Sequence, residues 1–160
     1  MPRMISAIVR AGLLTAVMDG AFSGALAVFF YHSGFARLWQ GVASTVLGPS
    51  AIEGGTQTMM IGIAMHIAVA FTWSAIFVLL LRPRPAVARV LASPNGWIKI
   101  GAIYGPVVWV VMSLIVIPTL TGRAPSASSF TFRWWVQFVG HAPFVGMPIA
   151  WASGPPATQR

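Results

Sequence analysis

The sequence predicts an all-α integral membrane protein, folded as one domain over residues 1–160 into a bundle of four transmembrane helices. Two observations support this prediction. Hydrophobic residues make up 57% of the chain and charged residues only 8%, whereas a soluble domain carries about 25% charged residues. Four apolar stretches also reach the length of about 20 residues that a helix needs to cross a bilayer. We therefore expect the lipid bilayer to cover much of the surface.

The four apolar stretches predict spans at residues 11–31, 59–81, 100–120 and 134–152. Asp19 is the only Asp, Glu, Lys or Arg inside any of them. The fourth pattern is the weakest, because Pro143 and Pro148 interrupt it, but membrane helices tolerate proline where neighbours satisfy the freed carbonyls. The first stretch has features of a signal peptide. It carries Asp19 and continues without a break, however, so an uncleaved span is the better interpretation.

Basic residues flank the apolar stretches and predict how the chain is oriented; the net charge is +8. With both termini inside, seven basic residues lie on the cytoplasmic side and three outside, in line with the positive-inside rule. The inner set is Arg3, Arg10, Arg82, Arg84, Arg89, Lys99 and Arg160, and the outer set is Arg37, Arg123 and Arg133. We expect a multi-pass protein of a bacterial inner (plasma) membrane with a cytoplasmic N-terminus and C-terminus. No basic stripe with interleaved aromatic residues lies outside the spans, so nucleic acid is not an expected partner.

The segment between the first two spans predicts a short amphipathic helix that ends at Gly48-Pro49. One face of this helix carries Phe35, Leu38, Trp39, Val42 and Val46. Such a helix is typical of one that lies in the outer membrane interface. A re-entrant element, or a lid over an outward-facing cavity, is the alternative, and the sequence leaves both interpretations open.

Polar side chains at membrane depth form the candidate site, because an ionisable group there must face other helices and find a partner. With each span's middle residue at the midplane and a rise of about 1.5 Å per residue, Asp19, His66 and His141 fall within a band of about 10 Å. Tyr104 of the third span could extend this cluster. Three interpretations compete: a buried network that holds the helices in register, a proton or ion pathway, and a haem or metal site with His66 and His141 as ligands. The two histidines have no metal-ligand spacing, so we expect no cofactor and no metal.

Small residues predict close helix packing. Ala16, Gly20 and Gly24 repeat every four positions in the first span, and Gly101 and Gly105 do so in the third. Such ladders let helix backbones approach closely. They serve contacts within one chain or between chains, so a homo-oligomer or a membrane protein partner fits the pattern as well as a monomer does.

Several runs in the sequence resemble an uncharacterised family of small four-span bacterial inner-membrane proteins. The resemblance is carried by Leu38-Trp39-Gln40-Gly41-Val42-Ala43-Ser44, Leu47-Gly48-Pro49, Glu53-Gly54-Gly55, Gly62 with His66, Tyr104-Gly105, and Gly140-His141 followed by Phe144-Val145-Gly146-Met147-Pro148. It spans nearly the whole chain and implies four spans and a bacterial inner membrane. It implies no activity. The third span of that family often carries a Met-Asn pair, where this chain has Met112-Ser113.

The sequence offers little that predicts an enzyme. Cysteine is absent, which excludes thiol chemistry, and no nucleophile-elbow, P-loop or zinc-motif spacing is present. We expect a non-enzymatic accessory or structural component of the membrane. The alternative is a small proton-linked permease or channel that acts as an oligomer, because one four-span unit of this size encloses little volume.

Overall fold

The computed structural model describes residues 1–154, and within them the chain forms helices and no strand. Six helices follow one another: α1 (Pro2–Phe30), α2 (Phe35–Leu47), α3 (Gly55–Leu81), α4 (Pro85–Leu91), α5 (Gly96–Thr121) and α6 (132–152). Short 3₁₀ turns cover Pro49–Glu53 and Ala127–Ser129. The all-helical fold class is thus confirmed. Arg160, counted above with the cytoplasmic residues, lies outside the described residues.

Three of these helices, α1, α3 and α5, are long and apolar enough to cross a membrane. They contain the first three predicted spans, and α1 begins earlier than predicted, at Pro2. Large apolar side chains such as Val17 on α1 and Ile103 on α5 are exposed, at 68% and 67%. Exposed apolar surface of this kind marks contact with a membrane or a partner, so the prediction of transmembrane helices agrees with the structure.

Helix α6 differs from the other three. It comprises Phe132–His141, one π-helical turn over Ala142–Gly146, and Met147–Ala152, and it is not among the helices apolar enough to span. Its end is instead enclosed by the bundle, since Val145, Gly146 and the stretch Pro148–Ala150 are buried. The structure therefore supports three candidate spans, and the fourth stays a prediction.

Glycines set the contact between α5 and α6. A Cβ on Gly101 would meet the backbone of Met147, and one on Gly105 would meet the carbonyl of His141. Gly146 in turn packs on the backbone of Gly101. Gly101 therefore faces Met147, and Gly105, one turn later on α5, faces the earlier residue His141 on α6. The two helices run antiparallel with their backbones in contact. The ladder predicted for the third span therefore serves packing within the chain.

The half of the bundle that contains the first turns of α1 has an apolar core. Its buried members are Ala7, Phe77, Val78, Tyr104, Val108, Val145, Ile149 and Ala150. In this region α1 packs against both α3 and α6. The hydroxyl of Tyr104 donates to the Trp73 carbonyl oxygen, at 2.7 Å, and so links α5 to α3 inside the core. Arg10 donates to the carbonyl of Gly154 at 3.0 Å and links α1 to the end of α6.

Helix α2 covers the other end of the bundle. It begins after Gly34 and ends before Gly48, whose φ values of 76° and 87° favour glycine. The backbone carbonyl of Trp39 packs directly on Gly62 of α3, where a Cβ would not fit. The amide Nε2 of Gln40 donates to the Gly55 carbonyl at 3.0 Å. These contacts fix the middle of α2 against the first turns of α3.

Candidate functional site

A cavity of about 360 Å³ lies between the long helices, beneath α2. Its polar lining residues are Thr15, Asp19 and Ser23 of α1, Thr45 of α2, His66 of α3, and Gln137 and His141 of α6. Three indoles, Trp39, Trp73 and Trp109, and aliphatic side chains from α3 and α5 complete the wall. Every long helix contributes, so the cavity occupies the axis of the bundle.

The structure brings Asp19 and His66 together at this cavity. His66 Nε2 lies 3.0 Å from the Ala16 carbonyl oxygen, and because a carbonyl only accepts, Nε2 carries the hydrogen. The other ring nitrogen, Nδ1, lies 3.7 Å from Asp19 Oδ2, beyond hydrogen-bond distance. The two side chains therefore face each other at the cavity without a direct hydrogen bond.

His141 lines the same cavity from α6. Its Nδ1 lies 2.7 Å from the Gln137 carbonyl oxygen, so Nδ1 is the donor, and Nε2 is an acceptor whenever the ring is neutral. Each histidine packs against an indole: His66 against Trp39 with ring centroids 4.9 Å apart, and His141 against Trp109 at 4.8 Å. Two aromatic–imidazole pairs therefore border the cavity, one on each side of α1.

Unpartnered polar atoms concentrate at this cavity. Eight buried side-chain nitrogen or oxygen atoms in residues 1–154 have no hydrogen-bond partner, and five of them belong to cavity-lining residues. These five are Asp19 Oδ1, Gln137 Oε1, Thr15 Oγ1, Trp39 Nε1 and Trp109 Nε1. A buried polar group left without a partner costs about 1–3 kcal/mol. Five such groups line one space, so the cavity is suited to a molecule that forms hydrogen bonds.

Tyr104 does not join the other three predicted site residues. Its side chain is 6% exposed and does not line the cavity, because it packs on Phe77 and donates to Trp73 on the inner side. Tyr104 was included in the predicted cluster because its depth along α5 matched that of the other residues. Its side chain points toward α3, however, and not into the cavity.

The small-residue ladder of α1 has a different partner from the one expected. A Cβ on Gly20 would lie 3.4 Å from His66 Nε2 and 3.7 Å from the Trp39 ring, and one on Gly24 would lie 3.4 Å from the Phe35 ring. Ala16 supplies the carbonyl that accepts from His66. The ladder therefore makes room for side chains of α2 and α3 rather than for another helix backbone.

Sequence reasoning missed Gln137 and Trp109 as site residues. Gln137 precedes His141 by four positions, one helical turn, and this spacing places both on one face. Trp109 lies in the middle of the predicted third span rather than near its end, which is unusual for a belt residue. Ser113, at the position of the family's Met-Asn pair, accepts a hydrogen bond from Trp134 Nε1 at 3.1 Å and does not line this cavity.

A second space of about 630 Å³, the vestibule, adjoins the cavity at the α2 end of the bundle and is formed by the end of α2, the end of α5 and the loop that follows α5. Thr45, Ile117 and Leu120 line both spaces and so form the partition between them. Arg123 lines the vestibule. Helix α2 thus borders both spaces, as the lid interpretation requires.

Residues 1–154 contain no group of three or more His, Cys, Asp or Glu side chains that could hold a metal ion. The haem interpretation of His66 and His141 is not tested by this geometry. Comparison with protein-family models, curated proteins and solved structures finds no match to this chain. The function is therefore argued from the cavity alone.

Proposed function

We propose that the chain is a small proton-linked permease of a bacterial inner membrane, with four spans, both termini in the cytoplasm and a solute site at the cavity. The observation that carries the proposal is the set of unpartnered polar atoms around that cavity. An accessory component with a purely structural cluster has no need for them. Each unpartnered buried group lowers stability, and proteins retain such groups where function requires them.

Support for the fourth span comes from the packing of α6. Its first half meets the outer part of α5, where Trp134 donates to Ser113, and its second half packs on Gly101 near the start of α5. A helix that accompanies an apolar span along most of its length shares that span's depth in the membrane. Its lower hydropathy follows from its position, because the bundle, not lipid, covers much of it.

Orientation rests on the positive-inside rule. Arg133 stacks over the Tyr31 ring, 4.0 Å from its centroid, so the first outer connection and the start of α6 lie at one end of the bundle. Arg10 and Gly154 meet at the opposite end. The end with Arg10 and α4 carries most of the basic residues, and we assign it to the cytoplasm.

A permease fits this geometry better than an open channel. The apolar core of α1, α3, α5 and α6 closes the inner half of the bundle, so no continuous aqueous path crosses it. One chain already encloses the cavity, so the site does not need a second copy. The prediction that the chain acts as an oligomer stays untested. Solute transfer would require the helices to rearrange around Asp19, as in alternating access.

The test compares two polar side chains at membrane depth, Asp19 and Tyr104. If Asp19 belongs to a functional site, Asp19→Asn changes stability less than Tyr104→Phe does, because Oδ1 has no partner and Oδ2 lies 3.7 Å from His66, beyond hydrogen-bond distance. Tyr104→Phe removes an interhelical hydrogen bond and should lower stability by about 0.6–2 kcal/mol. Unfolding of both variants would be followed in mixed detergent micelles.

The second arm measures transport. Proteoliposomes with a trapped pH dye would be exposed to a panel of amines, organic acids and sugars, and a protein-dependent pH change on addition of a solute marks coupled transport. Asp19→Asn should abolish this change, whereas Tyr104→Phe, once folded, should retain it. If Asp19→Asn destabilises the protein more than Tyr104→Phe does and no solute moves protons, the cluster is structural and the accessory role replaces the permease.

A further inference from the structure

The cavity contains a single carboxylate and no opposing basic side chain other than histidine. Asp19 is the only Asp or Glu in its lining, and no Arg or Lys is present there. The groups that face Asp19 are His66 from α3 and His141 from α6, while α2 and α5 contribute indole, hydroxyl and aliphatic side chains. Arg123 lies in the vestibule and Arg37 is exposed on α2. An anion would find no fixed positive charge in this cavity.

The cavity offers hydrogen-bond acceptors beside its one carboxyl group. Asp19 Oδ1 and Gln137 Oε1 are unpartnered acceptors, and the unpartnered Thr15 hydroxyl can accept as well as donate. Among these groups Asp19 alone can carry a negative charge. A protonated amine, which donates up to three N–H groups and carries a positive charge, matches both properties of the Asp19 carboxylate.

The aromatic wall also selects a cation. Trp39, Trp73 and Trp109 line the cavity together with Asp19, and indole is the aromatic side chain that attracts cations most strongly. The volume of about 360 Å³ lies at the lower end of the range of about 300–1,000 Å³ found for small-molecule sites. A small amine with an apolar body matches both the size and the largely aliphatic remainder of the wall.

Asp19 is the one carboxyl group of the cavity, and its Oδ1 has no hydrogen-bond partner. A charged group without a partner is costly at membrane depth. We propose that the Asp19 carboxyl group of the empty cavity holds a proton, and that the cavity binds a protonated organic amine in exchange for it. The proton leaves to the vestibule as the ammonium group takes its place beside the Asp19 carboxylate. This inference deepens the proposed function and rests on it.

The exchange balances in atoms and charge. The O–H bond of the Asp19 carboxyl group breaks, the proton passes to water, and Asp19 becomes a carboxylate paired with the ammonium ion. His66 keeps its Nε2 hydrogen on the Ala16 carbonyl throughout. One positive charge enters as one leaves, so the net charge of the cavity does not change.

Calorimetry on the purified protein in detergent tests the inference, with benzylamine as the probe and benzyl alcohol as its uncharged counterpart. Titrations would span the pH range in which benzylamine stays protonated, in two buffers of different ionisation enthalpy so that the released protons are counted. We expect one proton released for each benzylammonium bound, and a Kd that falls about tenfold for each unit rise in pH while Asp19 holds its proton. Benzyl alcohol should bind at least about tenfold more weakly and release no proton.

Three variants complete the design. Asp19→Asn should weaken benzylammonium binding at least about tenfold and remove its pH dependence. Trp109→Leu, which leaves the carboxylate in place, should weaken benzylammonium more than benzyl alcohol, and it keeps the test valid if Asp19→Asn does not fold. Tyr104→Phe, outside the cavity, should bind like the original chain.

The possible results distinguish a failure of this inference from a failure of the proposed permease function. Equal binding of benzyl alcohol and benzylammonium without proton release overturns the exchange and leaves a permease for neutral solutes. Benzylamine that fails to bind, in a protein whose proteoliposomes couple protons to another solute, overturns the amine alone. If neither compound binds and no solute moves protons, both proposals fall together.

Discussion

Gly62 determines whether α2 can cover the cavity, and replacing it tests that contact directly. In Gly62→Ala the new Cβ would lie 2.6 Å from the carbonyl carbon and 3.1 Å from the Cα of Trp39. Both atoms belong to backbone, so no side-chain rotation relieves the overlap. Helix α2 must retreat from α3 by roughly 1 Å to restore an ordinary carbon–carbon contact of about 3.5–4.0 Å.

The expected magnitude follows from two opposing effects. Alanine is favoured over glycine within a helix by about 0.8–1.0 kcal/mol, and overpacking of a close contact costs about 1–3 kcal/mol. Gly62→Ala should therefore change the free energy of unfolding by between about zero and 2 kcal/mol of destabilisation. Gly41→Ala is the matched control: Gly41 also lies inside a helix, but its Cβ would meet nothing within 4 Å. That variant should be stabilised by about 0.5–1 kcal/mol.

Reversible unfolding in mixed micelles measures both variants, and the difference between them removes the helix-propensity contribution. We expect Gly62→Ala to be less stable than Gly41→Ala by about 1–3 kcal/mol. Tryptophan fluorescence should also change in Gly62→Ala, because Trp39 loses its contact with His66 as α2 retreats. Equal stability of the two variants, with unchanged fluorescence, would show that α2 is not held against α3 at this point, and the cavity would then lack its cover.

Further predictions address the α5–α6 contact, the topology and the absence of a cofactor. Gly105→Ala should be less stable than Gly41→Ala by about 1–3 kcal/mol, since its Cβ meets the His141 backbone; equal stability of the two variants would contradict the antiparallel packing. The chain has no cysteine, so single substitutions report sidedness: Ser128→Cys should react with a membrane-impermeant maleimide from outside, and Ala92→Cys only after permeabilisation, with the reverse pattern refuting the orientation. A fluorescent reporter that folds only in the cytoplasm should fluoresce when joined after residue 160, and a dark reporter would argue against the fourth span. The absorbance spectrum of the purified protein should lack a Soret band, whose presence would revive His66 and His141 as haem ligands.

The spans differ in how far the sequence could predict them. Hydropathy is a local property, so α1, α3 and α5 stand out from their own residues. The position of helix α6 is determined by its neighbours, because the glycine contacts with α5 and the burial of Ile149 depend on residues distant in the chain. For the same reason, the pattern of α2 predicted an amphipathic helix but could not distinguish a surface helix from a cover, because that depends on the fit of Trp39 against Gly62.

The sequence could predict how deep each site residue lies along its helix, but not the direction in which its side chain faces. Counting residues along each span brought Asp19, His66 and His141 to one level, and the cavity unites them. The same count included Tyr104, which faces another way, and it missed Trp109. A rise per residue places a side chain along a helix axis, whereas the direction it faces depends on how the helix turns against its neighbours, which a single sequence does not contain.

Helix α1 packs against both α3 and α6, and this position gives Asp19 a special relation to the two histidines. His66 belongs to α3 and His141 to α6, and both histidines line the cavity together with Asp19. A movement of α3 against α1 would change the 3.7 Å separation of His66 Nδ1 and Asp19 Oδ2, and a movement of α6 would change the position of His141. The surroundings of one carboxyl group on α1 therefore depend on the positions of two other helices.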